Sequence, residues 1–446
     1  MKQLLISNAN VVNEGKIEQL DVVINDGRIE QVGKDLQHVA VKQQIDASGK
    51  HLLPGLIDDQ VHFREPGLTH KGDIAHESAA AVAGGITSFM EMPNCNPQTT
   101  NYAALEDKYK LAATRSLANF SFYFGATNDN MELIKGLDPE SACGIKVFMG
   151  ASTGNMLVDD PKILEQLFDY APILLAAHCE DTPMITENEL VYLQRHGDEI
   201  PFKFHPQIRS AEACYKSSSM AVELAKRYGT KLHVLHLTTE RELALFDDRP
   251  LAQKQITAEA CAHHLFFNEN DYLEKGALIK CNPAIKAKSD QLALQQAVID
   301  GVIDVIATDH APHTWDEKQN KHYMKAPSGL PLVQHSLQTL LEHYHNDLFS
   351  LELIVEKTSH AVAELYQIRE RGYIREGYWA DLVLVDLDTP QTIERESALS
   401  KCGWSPFDGY TFRSTVNSTL VNGELMYQNS KILSDQKGQR LLFTRN

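Results

Sequence analysis

One pattern governs what this 446-residue chain can become. Through its middle, short apolar, β-branched runs alternate with stretches of helical periodicity. Eight such runs are predicted as strands, at 52–62, 87–93, 121–127, 144–150, 173–179, 231–237, 255–261 and 304–310. Amphipathic helices are predicted between them, among them 103–117, 161–170, 212–228 and 291–301. Strand, loop and helix repeated in this order place the strands parallel, and eight such units close a TIM (β/α)8 barrel. The first fifty residues and the last seventy read differently, as small strands with hairpin-type turns at Asn25-Asp26-Gly27 and Asn422-Gly423. The fold class is therefore α/β. A barrel is expected over 54–369, with a small β-sandwich assembled from both termini, 1–53 and 370–446.

The formal net charge of -18 argues against nucleic acid or an anionic membrane surface as a partner. It also means that an anionic substrate would need cations supplied locally. Seven cysteines are scattered without a Cys-x-x-Cys pair, which suits free thiols in the cytoplasm. The start meets polar residues too soon for a secretory signal, and no apolar run approaches membrane-spanning length.

In a barrel of this type reactive groups come from the C-terminal strand ends. Reading those ends gives Gln60 and His62, Asn94, Lys146, His178, His236 and Asp309. Imidazoles and a carboxylate closing separate strands, far apart in sequence, are the inventory of an axial metal pocket rather than a local finger. Singly, each has a plainer reading as a hydrogen-bonded core residue; together at matching ends they point to ligation. Of two neighbouring histidines, His236 at its strand end is expected to ligate and His233 to be structural. His263-His264 begins after its strand and is read as loop or packing. Lys146, inside Gly144-Ile145-Lys146-Val147-Phe148, is costly to bury as an ammonium. It is either salt-bridged to an acidic barrel residue or carbamylated by carbon dioxide, and burial supplies the neutral amine that carbamylation requires.

Three segments carry a family resemblance. Pro54-Gly55-Leu56-Ile57-Asp58 leading into His62-Phe63-Arg64-Glu65-Pro66-Gly67, Met92-Pro93-Asn94 with Pro97, and Ala307-Thr308-Asp309-His310-Ala311-Pro312-His313 followed by Lys318 resemble the signatures of dihydroorotases in the amidohydrolase superfamily. Lys280-Cys281-Asn282-Pro283 and Gly329-Leu330 extend the match. The resemblance implies reversible hydrolysis of dihydroorotate to N-carbamoyl-L-aspartate in pyrimidine synthesis. It implies one zinc on His62, carboxylated Lys146 and Asp309, and a second on Lys146, His178 and His236. A hydroxide between the metals would be the nucleophile and Asp309 the general acid/base. Arg64, Asn94, Asn282 and His313 would bind the substrate, with Gly329 and Leu330 beside them.

Gln60 departs from the His-x-His pincer of such signatures. An amide oxygen is a weaker zinc donor than imidazole, so the first metal position is expected to be looser, with one or two zincs per chain. Two alternatives follow: a non-catalytic barrel kept for assembly with aspartate carbamoyltransferase, or another cyclic amidase acting on hydantoin or allantoin. Retention of Lys146, His178, His236, Asp309, Arg64 and Asn94 together speaks for catalysis, and the Arg64 and Asn94 pair speaks for a carboxylate-bearing ring. A homodimer is the other expected association.

Overall fold

A computed structural model of the chain describes residues 2–150 and 156–445; the Gly- and Ser-containing loop at 150–158 lies partly outside them. Each of the eight predicted segments contains a strand: β1 (Leu56–Val61), β2 (Ile86–Glu91), β3 (Asn119–Phe122, continued by Phe124–Gly125), β4 (Ile145–Phe148), β5 (Leu175–His178), β6 (Leu232–Val234), β7 (Ile256–Cys261) and β8 (Val305–Ala307). All neighbours pair in parallel. The first half of β3 pairs with β2 and its second half with β4, so one strand joins a three-stranded sheet to a six-stranded one. The outer edges meet at a parallel bridge between Val61 and His310, where the His62 N–H donates to the His310 carbonyl at 2.7 Å.

Every residue of β1 and β2 is buried, which fits parallel strands covered on both faces. Side chains alternate between two apolar clusters. Ile57, Met90, Ala176, Leu235 and Val305 fall in one cluster, while Phe89, Phe120, Ala177 and Val234 join the helices in the other.

The predicted strand 52–62 divides at Gly55. His51–Pro54 pairs antiparallel with Leu382–Asp386, whereas Leu56–Val61 enters the parallel set. A Cβ at Gly55 would stand 2.2 Å from Thr87 Oγ1, so glycine lets the chain cross between the layers. Pairing makes the two ends of the chain one connected nine-stranded sheet. Lys2–Asn13 and His51–Pro54 bring the N-terminal strands to it, and Leu382–Asp386, Thr415–Val421 and Glu424–Gln428 the C-terminal ones. Among the described residues no helix is long and apolar enough to cross a membrane.

Candidate active site

The predicted site residues gather at the C-terminal strand ends. Gln60 lies in β1 with His62 just beyond it, Lys146 in β4 and His178 at the end of β5; His236 and Asp309 each lie two residues past β6 and β8. All but His62 are buried, and His62 is nearly so. Arg64, His236 and Asp309 adopt left-handed backbone, with φ of 71°, 40° and 50°. Each such non-glycine residue costs about 1–3 kcal/mol, so its surroundings must hold it there. Glu259 Oε1 holds His236 by accepting its backbone N–H at 2.8 Å. Asp58 clamps β1 to β8, accepting Thr308 Oγ1–H at 2.6 Å and the N–H groups of Gln60 and Thr308, each at 3.2 Å. Burial pushes the Asp58 carboxyl up to about 8.

The ligand-type residues form two groups. In the first, the His62 Nδ1–H donates to Asn94 Oδ1 at 2.8 Å, which leaves a lone pair on Nε2, 3.1 Å from Asp309 Oδ1. Burial lowers the His62 pKa, so the ring is neutral at pH 7 and two acceptors face one another. A cation resolves that repulsion, so this group fits a metal. Gln60 turns its amide nitrogen, not its oxygen, toward this carboxylate, with Nε2 donating to Asp309 Oδ1 at 3.2 Å.

In the second group the His178 Nε2–H donates to Glu180 Oε2 at 2.9 Å, fixing a lone pair on Nδ1, which lies 2.9 Å from His236 Nε2. Burial lowers both pKa values, so the rings converge nitrogen to nitrogen as neutral donors, the form that binds zinc. His236 Nδ1 has no partner. Although burial raises the Glu180 pKa, Arg209, donating to Oε2 at 2.5 Å, and His178 bring it down to about 2. Lys146 lies within electrostatic reach of both groups, its charge felt by His178 and His236 and itself acted on by Asp309 and Glu259. Burial lowers the Lys146 pKa to about 7.

On the open side the Arg64 Nε–H donates to the Pro312 carbonyl at 3.0 Å, and Nη2 lies 3.1 Å from His313 Nε2. His313 receives Lys71 Nζ on Nδ1 at 3.0 Å and faces the Ser328 carbonyl with Nε2 at 2.9 Å. The Nε2–H tautomer satisfies both contacts, so the ring does not accept from Arg64. Asn282 Oδ1 is buried without a partner. Gly329, at φ 136°, packs so closely that a Cβ would lie 2.4 Å from the Ala311 carbonyl. Leu330 sends its side chain into an apolar cluster with Phe267 and Phe407 and offers the site its backbone, whose carbonyl accepts from Ala311 at 2.8 Å. Lys318 donates to the carbonyls of Lys280, Pro327 and Gly329, knotting these loops together.

Glu180, Arg209, Asp58 and Glu259 brace these residues and their segments and were missed by strand-end reading. Glu259 carried the signal that singled out Lys146, a charged residue inside an apolar strand, here Thr257-Ala258-Glu259-Ala260-Cys261. His233 sits inside the barrel, its Nε2 3.4 Å from Asp59 Oδ2 and 3.6 Å from Glu259 Oε2. A cavity of about 630 Å³ between helices Pro161–Tyr170 and Ala211–Tyr228 contains none of the ligand-type residues.

The amidohydrolase family pattern matches residues 51–426. An allantoinase of Desulfitobacterium hafniense is 30% identical over 455 residues, spanning 98% of each chain. A dihydroorotase of Methanosarcina mazei is 31% identical over 444 residues, spanning 97% of this chain and 96% of its own. Among solved structures, the L-hydantoinase (dihydropyrimidinase) of Arthrobacter aurescens superposes with a TM-score of 0.94 at 26% identity, covering 99% of this chain and all of its own. On this breadth of agreement, the chain belongs to the amidohydrolase family.

Proposed function

We propose that the chain hydrolyses a cyclic amide that carries a carboxylate, namely dihydroorotate, reversibly to N-carbamoyl-L-aspartate. The observation that carries this reading is Arg64. Its guanidinium is half-buried at the edge of the ligand-type residues and, among the described residues, bonds a carbonyl and approaches a committed imidazole. A half-buried cation with no carboxylate hydrogen-bonded to it among the described residues is poised to receive one from the ligand, as a paired, charge-assisted contact.

His62, Lys146 and Asp309 would hold one zinc, and Lys146, His178 and His236 the second, with Lys146 as the carbamate formed from its neutral amine and carbon dioxide. When bound, the metal supplies water acidified to near neutrality and an electrophile for the ring carbonyl. The chain's own residues do the rest. Asp309, fixed by the Gln60 amide and its left-handed backbone, carries the proton to the departing ring nitrogen. Arg64 grips the carboxylate, and the unpartnered Asn282 oxygen accepts a ring N–H. Gly329, without a side chain, lets the loop backbone approach the ring.

The second reading is a ring without a carboxylate, allantoin or hydantoin, favoured by full-length relatives bearing those names at similar identity. It leaves the Arg64 guanidinium unmatched. Turnover of dihydroorotate, allantoin and hydantoin by the zinc- and bicarbonate-loaded protein separates the two. Arg64→Met should lower kcat/KM for dihydroorotate by about 100-fold, the usual cost of truncating one partner of a buried charge pair. Turnover of allantoin or hydantoin with none of dihydroorotate would overturn the proposal.

A further inference from the structure

Beside Gln60, whose amide oxygen lies 3.9 Å from Cys261 Sγ, lies a third group of donor atoms. Cys261 ends β7, and the chain turns directly into a short helix, Ala262–Phe266, that carries His263 and His264. One ligand atom from each of the three lies within 4.8 Å of the other two, and all three residues are buried. The imidazole rings stand 3.9 Å apart between centroids.

The hydrogen bonding of these rings differs from that of His205 and His310, which are satisfied on both nitrogens. His205 engages Tyr323 Oη and the Cys281 carbonyl, each at 2.7 Å. His310 engages Glu77 and the Leu332 N–H, each at 2.9 Å. His263, by contrast, has no hydrogen-bond partner on either nitrogen, and the polar group its ring faces is the Thr308 backbone. His264 commits Nε2–H to the Pro283 carbonyl at 3.2 Å, which places its lone pair on Nδ1, and that atom has no partner either. Buried polar atoms are normally satisfied, so three orphaned nitrogens beside one thiol require an explanation.

We infer that Cys261, His263 and His264 form a further metal site, separate from the strand-end groups and selective for a borderline-soft divalent cation such as zinc. One thiolate and two neutral imidazoles are three of the four donors of a tetrahedral zinc. Gln60 Oε1, 3.9 Å from Cys261 Sγ, is the nearest candidate for the fourth. Binding releases the thiol proton, which Cys261 holds 3.5 Å from Glu259 Oε1. Carboxylates at Glu259 and Asp309 offset the remaining positive charge. Enclosure implies that the ion enters during folding and resists chelators afterwards. The site does not depend on which ring the enzyme opens.

Cobalt is the probe, because a thiolate bound to Co(II) gives a near-ultraviolet charge-transfer band and the strand-end groups contain no sulfur donor. The full chain, refolded with cobalt, should show that band. Cys261→Ser should lose it together with about one ion per chain, and His263→Ala should weaken it. Cys179→Ser and His62→Ala should keep it. Absence of the band in the wild type, or its survival in Cys261→Ser, would overturn the site; loss in His62→Ala would assign the thiolate to the strand-end centre and overturn its separateness. Zinc-edge X-ray absorption of the wild-type protein needs no variant. A sulfur neighbour at about 2.3 Å supports the site, and nitrogen and oxygen neighbours alone refute it.

Discussion

The His178/His236 group and the His62/Asp309 group use the same kinds of atoms but are braced differently. Behind His178 stands a charged relay, Glu180 and Arg209, with Glu259 holding the His236 backbone. Behind His62 stands a neutral amide, Asn94, and behind Asp309 another, Gln60. A carboxylate brace raises the basicity of an imidazole ligand, whereas an amide only orients it. The His178/His236 group would therefore hold a cation more tightly, with Lys146 as the element both would share.

Removing the shared element should have the largest effect. Lys146→Ala should weaken metal binding in both groups by more than the roughly 100-fold that loss of a bracing partner costs, and hydrolysis should fall to background. Metal content after dialysis tests this; retention in either group would show that it does not need Lys146. Glu180→Gln should act on one group alone. It keeps the shape but removes the charge, so the His178/His236 cation should bind about 10- to 100-fold more weakly, while the other changes little. Equal loss at both in a metal titration would dissolve the distinction. Asn94→Ala is the mirror experiment and should cost less, nearer tenfold, because an amide brace is replaced by water.

A pH dependence follows from Lys146. Its pKa lies at about 7, so the neutral amine dominates above that value and falls tenfold for each unit below it. Bicarbonate-dependent metal uptake should therefore level off above about pH 7 and decline steeply below it. A decline that continues unbroken to pH 9 would mean that the lysine titrates as if exposed.

Much of this arrangement was legible in the sequence, for identifiable reasons. Lys146 stood out because an apolar strand has no other use for an ammonium, and His178 and Asp309 because their strands end where a barrel presents its chemistry. What the sequence withheld is conformational. Nothing local marks the left-handed backbone at Arg64, His236 and Asp309, which tertiary contacts impose. A separation of 29 positions between Glu180 and Arg209 hides their pairing. Gly55 looked like the interior of one long strand because Thr87, whose side chain it must pass, lies far away in the chain. His263 and His264, read as loop or packing, lie buried in a short helix, and only the folded structure shows that their nitrogens lack partners.

Gln60 offers the smallest and most discriminating change. Its amide nitrogen serves Asp309 while its oxygen points toward Cys261, so toward the His62/Asp309 group the residue is placed as a brace, with its oxygen left to the Cys261 side. Gln60→His would place an imidazole where the amide stands, in the face-sharing position of a His-x-His pincer. Metal affinity of the His62/Asp309 group should rise about tenfold, since imidazole is the better zinc donor, and the two groups should approach equal affinity. Turnover should change by less than affinity, because the Asp309 carboxylate gains a neighbour but loses the N–H that orients it. If calorimetric titration shows the two affinities unchanged, residue 60 lies outside the coordination sphere, and the asymmetry between the groups rests on Glu180 and Asn94 alone.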